Sequence, residues 1–249
     1  NKRACHLLHG QILSIQAAAA HCQKSPSKAK YVALSADLFN QAFPLLAKKD
    51  PGVGHAMVQW VVDRLCNGEH SKTNRARTWA LLDGPSAKAI TIEIELAPGK
   101  TGRVVPDPTA IGPVSIGDDF VDTFLVARDS GIAADAPAGS EIVWKLYNHA
   151  GLKIIKGYSV GAAVAAALRG AIDGVTLDQC VAVSAMMNRA GELGKVDGAE
   201  RKLAYASDVR CDKVLLHPDT PVPKHPAAPV VPVKTFDKVW HYMSGMHRV

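Results

Sequence analysis

The sequence has no apolar run approaching eighteen residues, so it predicts no transmembrane helix and no membrane partner. Histidines and glutamines interrupt the apolar residues near the start, and that stretch therefore lacks the pattern of a signal peptide. Aromatic residues are scarce, at 6% of the chain. These features favour a globular protein whose core is packed largely from small and aliphatic side chains.

The cysteines are few and show no C-x-x-C pairing. They lie at Cys5, Cys22, Cys66, Cys180 and Cys211. An odd number of scattered cysteines argues against a disulfide framework or a zinc site and favours a reducing compartment. The sequence indicates no cofactor and no metal site.

The chain is basic, with a formal net charge of +6, but its basic residues are dispersed. A nucleic-acid-binding surface is normally marked by a dense Lys/Arg block, often with interleaved aromatic residues. No such block is present. The net charge is compatible with nucleic acid, but the dispersed pattern disfavours nucleic acid as a partner.

The residue pattern divides the chain into three parts. Residues 1–75 place apolar residues at three- and four-residue intervals, which predicts a helical segment with Gly68 as a helix end. Residues 76–217 alternate short strand and helix patterns. Residues 218–249 form a proline-rich, extended tail without regular structure and a short terminal segment. The predicted fold is α+β, with helices packed around several short strands.

Two patterns within residues 76–217 define the expected elements most clearly. Ile90, Ile92, Ile94 and Leu96 alternate with other residues, as in a strand. The alanine-rich stretch 159–174 predicts a helix that ends at Gly174. The stretch DTFLVAR, residues 122–128, is predicted to be a further short strand.

Two short motifs resemble functional sequences, and both are predicted to be turns. Gly99-Lys100-Thr101 matches the end of a phosphate-binding loop, but Ile94 stands where that motif requires glycine. Asp83-Gly84-Pro85-Ser86 resembles the serine motif of Lon-type peptidases. A strand pattern follows Ser86, however, whereas a nucleophile of this kind should precede a helix whose amides can bind an oxyanion.

Ser159 is the candidate nucleophile. It lies between Gly157 and Gly161, after a predicted strand and at the start of the alanine-rich helix. Small neighbours allow a substrate carbonyl to approach the backbone, and a helix N-terminus stabilises developing negative charge. A serine in this position is also a common helix cap, so this motif alone does not identify an enzyme.

Lys202 is the candidate base and lies on a predicted helix 43 positions after Ser159. The accompanying residues are Val181-Ala182-Val183-Ser184, Asn188, Gly191-Glu192-Leu193, Lys195-Val196 and Lys202-Leu203-Ala204. In these residues the chain resembles the Lon-type Ser/Lys peptidases, and more closely the birnavirus protease that processes the viral polyprotein. The resemblance covers about residues 76–217.

The resemblance implies a Lon-like peptidase fold and a role for each matching residue. Ser159 would be the nucleophile, Lys202 the general base, and Ser184 the hydroxyl that orients the lysine amine. The backbone N–H groups of Ser159 and Tyr158 would form the oxyanion hole. Cellular Lon enzymes carry Asp-Gly-Pro before the serine, where this chain has Lys-Gly-Tyr, and this difference favours the viral branch.

The resemblance also implies a polypeptide substrate. The expected activity is cleavage of a viral polyprotein, including self-release, after small residues such as alanine, in the host cytoplasm. An extended substrate is expected to bind as an added strand along Leu152, Ile154 and Lys156. The oligomeric state stays open.

The proposed base requires an unusual environment. A lysine amine removes a proton only when it is neutral, and its pKa of about 10.4 must be lowered by burial. The residues expected to surround Lys202 are apolar. They are Ala182, Val183, Leu203, Ala204 and Ala206. We therefore predict a lowered pKa for Lys202.

Other residues are weaker candidates for a catalytic or metal-binding role. Lys195 is a competing base, but it lies in a predicted turn where solvent would keep it charged. His149 is the histidine nearest in sequence to Ser159 and is interpreted as a loop residue. Asp118 and Asp119 receive no metal-binding role, because adjacent side chains on a strand point in opposite directions.

Two rival functions remain open at this point. The first is a stand-alone cellular Lon-like peptidase. The second is a basic RNA- or capsid-associated module without enzymatic activity, which predicts salt-sensitive RNA binding.

Overall fold

The structure is a computed structural model, and it contains helices and strands arranged around one mixed sheet. The described part of the chain comprises residues 2–67, 74–83, 88–98 and 102–246. The predicted α+β class is confirmed. The helix end predicted at Gly68 and the turns predicted at Ser86 and at residues 99–101 lie outside the described residues.

Four helices precede the sheet. They are α1 (Lys2–Cys22), α2 (Lys28–Ala42), α3 (Pro44–Lys49) and α4 (Val53–Asn67). Helices α1, α2 and α4 pack on one another. Helices α1 and α2 approach closely at Gly10, where a Cβ atom would lie 2.6 Å from the ring of Phe39. The Ser35 hydroxyl donates a 2.7 Å hydrogen bond to the Gly10 carbonyl and fixes this crossing of α1 and α2.

The strands form one large sheet and two small ones. In chain order they are β1 (Asn74–Leu81), β2 (Ala89–Ala97), β3 (Val104–Pro106), β4 (Ser115–Ile116), β5 (Glu141–Tyr147), β6 (Ile154–Ile155), β7 (Val181–Ser184), β8 (Met186–Met187), β9 (Leu193–Gly194), β10 (Lys213–Leu216) and β11 (Val230–Pro232). The large sheet has the order β11-β10-β7-β1-β2-β5-β3. Strands β1, β2 and β5 pair antiparallel, whereas the other pairs in this sheet are parallel. Strands β4 and β6 pair in parallel, and β8 and β9 pair antiparallel.

The remaining helices cover the sheet. They are α5 (Asp118–Asp129), α6 (Gly161–Asp173), α7 (Ala199–Asp208) and α8 (Phe236–Met243). Short 3₁₀ turns lie at Ile132–Asp135 and Tyr158–Val160. Within the described ranges, no helix combines the length and the apolar character needed to cross a bilayer.

Strand β7 shows how the sheet separates two hydrophobic clusters. Val181 and Val183 belong to the larger cluster, which includes the alanines of α6. Ala182, which points to the opposite face, belongs to the smaller cluster with Leu203 and Ala206 of α7. Helices α6 and α7 therefore lie on opposite faces of the same strand, and the smaller cluster, called the cluster beneath α7, packs between α7 and the sheet.

The strand predicted at residues 122–128 is wrong, because these residues lie in helix α5. Phe120, Phe124 and Ala127 are buried at the spacing of a helix face. Asp118 and Asp119 occupy the first turn, where negative charge is favoured by the helix dipole. A short, almost continuous apolar run does not distinguish a buried strand from a buried helix.

The tail also departs from the expectation that it lacks regular structure. Residues Val230–Pro232 form edge strand β11, which pairs with β10. An edge position tolerates Pro232 because one side of the strand needs no ladder hydrogen bond. Helix α8 follows, and its Val239 and Met243 are fully buried against the core.

A buried ionic network lies on strands β1, β2 and β5. Lys145 is 3% exposed, and its amine lies 3.3 Å from Glu93 and also bonds Glu95. Burial alone would lower the pKa of Lys145, but the hydrogen bond to Glu95 and the charges of both carboxylates raise it. Burial likewise opposes ionisation of Glu93, yet the hydrogen bond from Arg77 and the charge of Lys145 lower its pKa.

Substituting Lys145 by alanine is expected to destabilise the fold by about 3–5 kcal/mol, because it leaves a buried carboxylate without its cation. The free energy of unfolding, measured by urea denaturation, tests this expectation. Lys48→Ala, which removes an exposed lysine, serves as the control. Equal stabilities of the two variants would contradict the role assigned to the network.

Candidate active site

Ser159 lies in the 3₁₀ turn Tyr158–Val160, directly before α6 begins at Gly161. Gly157 starts this turn with φ 108° and ψ 149°, a conformation that is essentially restricted to glycine. Ser159 is half-buried. The backbone therefore places the hydroxyl in a sharp turn between β6 and the buried helix α6, as the glycine pattern predicts.

The backbone N–H groups at the start of α6 donate to carbonyl acceptors. The Gly161 N–H donates to the Tyr158 carbonyl, and the Ala162 N–H donates to the Ala185 carbonyl at 3.1 Å. Tyr158 and Ser159 begin the helical turn, where backbone N–H groups have no partner within the helix. The N–H groups of Tyr158 and Ser159 are the two that are expected to form the oxyanion hole.

Ser184 is fully buried at the end of β7. Its hydroxyl donates a 3.4 Å hydrogen bond to the Ser159 carbonyl. Ser184 pairs in register with Leu216, which belongs to the cluster beneath α7. The Ser184 side chain therefore lies on the sheet face that α7 covers, next to the turn that carries Ser159.

Lys202 lies on α7 and is only 2% exposed. Burial lowers the pKa of its amine to about 8, although the charges of Asp83 and Asp197 act in the opposite direction. The sequence-based expectation of a lowered pKa agrees with this value. A substantial fraction of the amine is consequently neutral near pH 8.

The apolar surroundings of Lys202 differ in part from those expected. Leu203, Ala206 and Ala182 lie in the cluster beneath α7, as expected. Ala204 is exposed, however, and Val183 lies in the cluster on the opposite face of the sheet. The helix and strand periods explain both corrections, because neighbouring residues on either element point in different directions.

Asp83 is the acidic residue whose charge acts most strongly on Lys202. Arg201, the neighbour of Lys202, binds this carboxylate with its Nε 2.7 Å from Oδ1 and its Nη2 3.1 Å from Oδ2. The guanidinium is thus paired with the carboxylate that most opposes the lowering of the Lys202 pKa. Burial remains the largest influence on the pKa of the Lys202 amine.

The residues predicted to bind substrate lie on and beside β6. Ser115 N–H donates to the Lys153 carbonyl at 3.1 Å, and Gly117 N–H donates to the Ile155 carbonyl at 2.8 Å. Backbone groups alternate along a strand, so the N–H and C=O of Ile154 point away from β4. The Ile154 side chain is 49% exposed. Strand β6 therefore has one edge that is not paired with β4.

Leu152 and Lys156 lie on either side of this short strand and differ in their exposure to solvent. Lys156 is exposed, whereas Leu152 is buried and lines a groove of about 570 Å³. The same groove is lined by Val114, Leu146 and His149.

The residues considered earlier as alternative catalytic or metal-binding groups lie in environments different from that of Lys202. Lys195 is exposed, which leaves its amine in solvent. The Nε2 atom of His149 accepts a 3.0 Å hydrogen bond from the Gly112 N–H. Asp118 forms a 2.9 Å ion pair with Arg3, and Asp119 accepts a hydrogen bond from the Phe120 N–H. In the described ranges, no group of three or more His, Cys, Asp or Glu side chains could hold a metal ion.

Sequence reasoning missed the role of Asp83 beside Lys202. Asp83 and Arg201 are 118 positions apart, and neither belongs to a motif that predicts their pairing. The sequence pattern around Asp83 indicates only a turn. No signal in a single sequence would have located this contact.

Comparison with known proteins gives no family assignment. No protein-family model matches the chain, and no curated protein matches it. The resemblance to Ser/Lys peptidases therefore depends on the motif residues and on the chemistry of the site.

Substituting Lys202 by methionine is expected to raise the free energy of unfolding at pH 7 by about 2 kcal/mol, because a buried charge is replaced by an apolar side chain. The pKa of Lys202 is lower in the folded protein than in the unfolded chain. Wild-type stability should therefore rise with pH above about 8, and its deficit relative to the variant should shrink.

Urea denaturation at several pH values between 7 and 10 measures this difference. Lys195→Met is the matched control, because Lys195 is exposed and its replacement should leave stability nearly unchanged. A Lys202→Met variant that is less stable than wild type at every pH would contradict the assigned environment.

Proposed function

We propose that the chain is a serine endopeptidase with a Lon-like fold and a Ser159–Lys202 catalytic dyad. The observation that carries the proposal is the buried amine of Lys202, whose pKa is about 8 because of burial. Buried lysines usually acquire an acidic partner or are avoided altogether. A lysine kept in an apolar site at a cost in stability is typical of a catalytic base.

The reaction proposed is acyl transfer to Ser159. The neutral amine of Lys202 takes the Ser159 proton as the hydroxyl oxygen attacks the scissile carbonyl, and the resulting ammonium returns the proton to the leaving amine. The backbone N–H groups of Tyr158 and Ser159 stabilise the negatively charged oxygen. Water then hydrolyses the acyl-enzyme ester with Lys202 again acting as the base.

Ser184 is proposed to position the two reacting groups. Its hydroxyl bonds the Ser159 carbonyl and lies on the sheet face beneath α7. A hydroxyl supports the lysine without adding charge, so it keeps the amine's pKa low where a carboxylate would raise it.

The proposed substrate is an extended polypeptide that adds to the unpaired edge of β6. Main-chain hydrogen bonds to Ile154 would hold it beside the turn that carries Ser159. The resemblance to the birnavirus protease extends this proposal to a viral polyprotein in the host cytoplasm, cleaved after small residues such as alanine and including release of the protease itself.

Ser159→Ala is expected to abolish processing of an expressed precursor that contains the chain with its natural flanking residues, because no acyl-enzyme can form. Mass spectrometry of the products measures cleavage, and circular dichroism checks the fold. Ser207→Ala is the control, since Ser207 is an exposed serine on α7. Continued processing by the Ser159→Ala variant would exclude Ser159 as the nucleophile.

The pH dependence of peptide hydrolysis provides a second test. Since the neutral amine of Lys202 is the active form, kcat/KM should rise with pH, with a midpoint near 8, and level off above it. The measurement uses a peptide with alanine on the acyl side between pH 6 and 9.5. A rate independent of pH across this range would argue against Lys202 as the base, and Lys195→Met should reproduce the wild-type profile.

A further inference from the structure

Two cysteines that are distant in sequence meet at the ends of two helices. Cys22 is the last residue of α1, and Cys66 lies in the last turn of α4. Their Sγ atoms are 2.6 Å apart. The two sulfurs are therefore close enough to be candidates for a disulfide, whose bond is about 2.05 Å long.

The two thiols differ in access to solvent. Cys22 is exposed, whereas Cys66 is half-buried and its Sγ lies 3.6 Å from the Ala18 carbonyl. The hydrogen bond with Cys22, burial and the charge of Asp63 raise the pKa of Cys66, while the nearby Lys28 lowers it. The exposed thiol of Cys22 is therefore the one that a dissolved reagent meets first.

The other cysteines lack this combination of contact and access. Cys5 is exposed, Cys180 is half-buried, and Cys211 is buried with a pKa raised to about 11, first by burial and then by the charge of Cys180. A thiol with such a pKa is almost entirely protonated at neutral pH and is a poor nucleophile. The pair formed by Cys22 and Cys66 is the place in the described chain where two thiol sulfurs are seen in contact.

We propose that Cys22 and Cys66 form a thiol-modification site that a low-molecular-weight disulfide, such as oxidised glutathione, converts to an intramolecular disulfide. The geometry that supports this is the direct contact of two sulfurs, one of them exposed, at a helix–helix junction. The proposal is independent of the peptidase function, because it involves neither Ser159 nor Lys202.

The reaction is two successive thiol–disulfide exchanges. The Cys22 thiolate attacks one sulfur of oxidised glutathione, forms a mixed disulfide and releases one glutathione thiolate. Cys66 then loses its proton and attacks the Cys22 sulfur, which releases the second glutathione. Two protein thiols are oxidised to one disulfide, and oxidised glutathione is reduced to two glutathione thiols.

The cross-link would fasten the C-terminal ends of α1 and α4 to each other. The loop that it closes contains α2, α3 and most of α4. Closing a loop of this length restricts the unfolded chain much more than the folded one. Oxidation should therefore stabilise the helical segment without a large rearrangement.

The experiment uses the reduced full chain, treated with oxidised glutathione and then with an alkylating reagent. We expect two fewer alkylated cysteines than in the untreated protein, and a mass about 2 Da lower before alkylation. Peptide mapping should identify the Cys22–Cys66 link. Thermal unfolding of the oxidised protein should occur about 5 °C higher than that of the reduced protein.

Cys22→Ser should eliminate both the cross-link and the thermal shift, whereas Cys5→Ser should retain them. Both substitutions replace exposed residues, so both variants should fold. The proposal is overturned if all five cysteines of the treated protein remain alkylatable, if only a stable mixed disulfide with glutathione forms, or if the mapped link joins other cysteines.

Discussion

The burial of one lysine amine is the constraint on which the proposed chemistry depends. Lys202 lies on α7 and is buried, and desolvation there favours the neutral amine and lowers its pKa to about 8. Arg201 holds the carboxylate of Asp83, the acidic group that acts most strongly on this amine. Burial therefore makes a fraction of this amine neutral near neutral pH, and that fraction is the form that can act as a base.

A second buried lysine, on strand β5, shows by contrast that burial alone does not lower the pKa of a lysine. Lys145 is about as inaccessible as Lys202, yet its pKa is raised because Glu93 and Glu95 surround its amine. Burial therefore does not determine the charge of a lysine by itself. The partners at the buried site decide whether the side chain is a structural cation or a potential base, and this protein contains one lysine of each kind.

The parallel strands β7 and β10 link the segment that carries Ser159 to the helix that carries Lys202. Strand β7 carries Ser184 at its end, and the Ser184 hydroxyl and the Ala185 carbonyl bond the segment that runs from Ser159 into α6. The chain then passes through α7 to the neighbouring strand β10. This connection places the helix with Lys202 over the face on which the Ser184 side chain lies.

Much of the local structure follows from the sequence. The alternation of isoleucines predicts β2, and the alanine-rich stretch closed by Gly174 predicts α6, because these patterns match the strand and helix periods closely. Residues 122–128 do not show a clear period, and their helix depends on Phe120 and Phe124 packing against Trp144. Tertiary packing, rather than propensity, decides the structure of such a run.

The sequence by itself determined which residue types could perform acyl transfer, and it singled out Ser159, Ser184 and Lys202 through their motifs. Only the tertiary structure decided that Lys202 is buried, that Arg201 binds Asp83, and that Cys22 meets Cys66. The physical reason is that desolvation, charge pairing and thiol contact depend on residues far apart in the chain. Local patterns constrain the backbone, whereas these properties arise only when distant segments pack together.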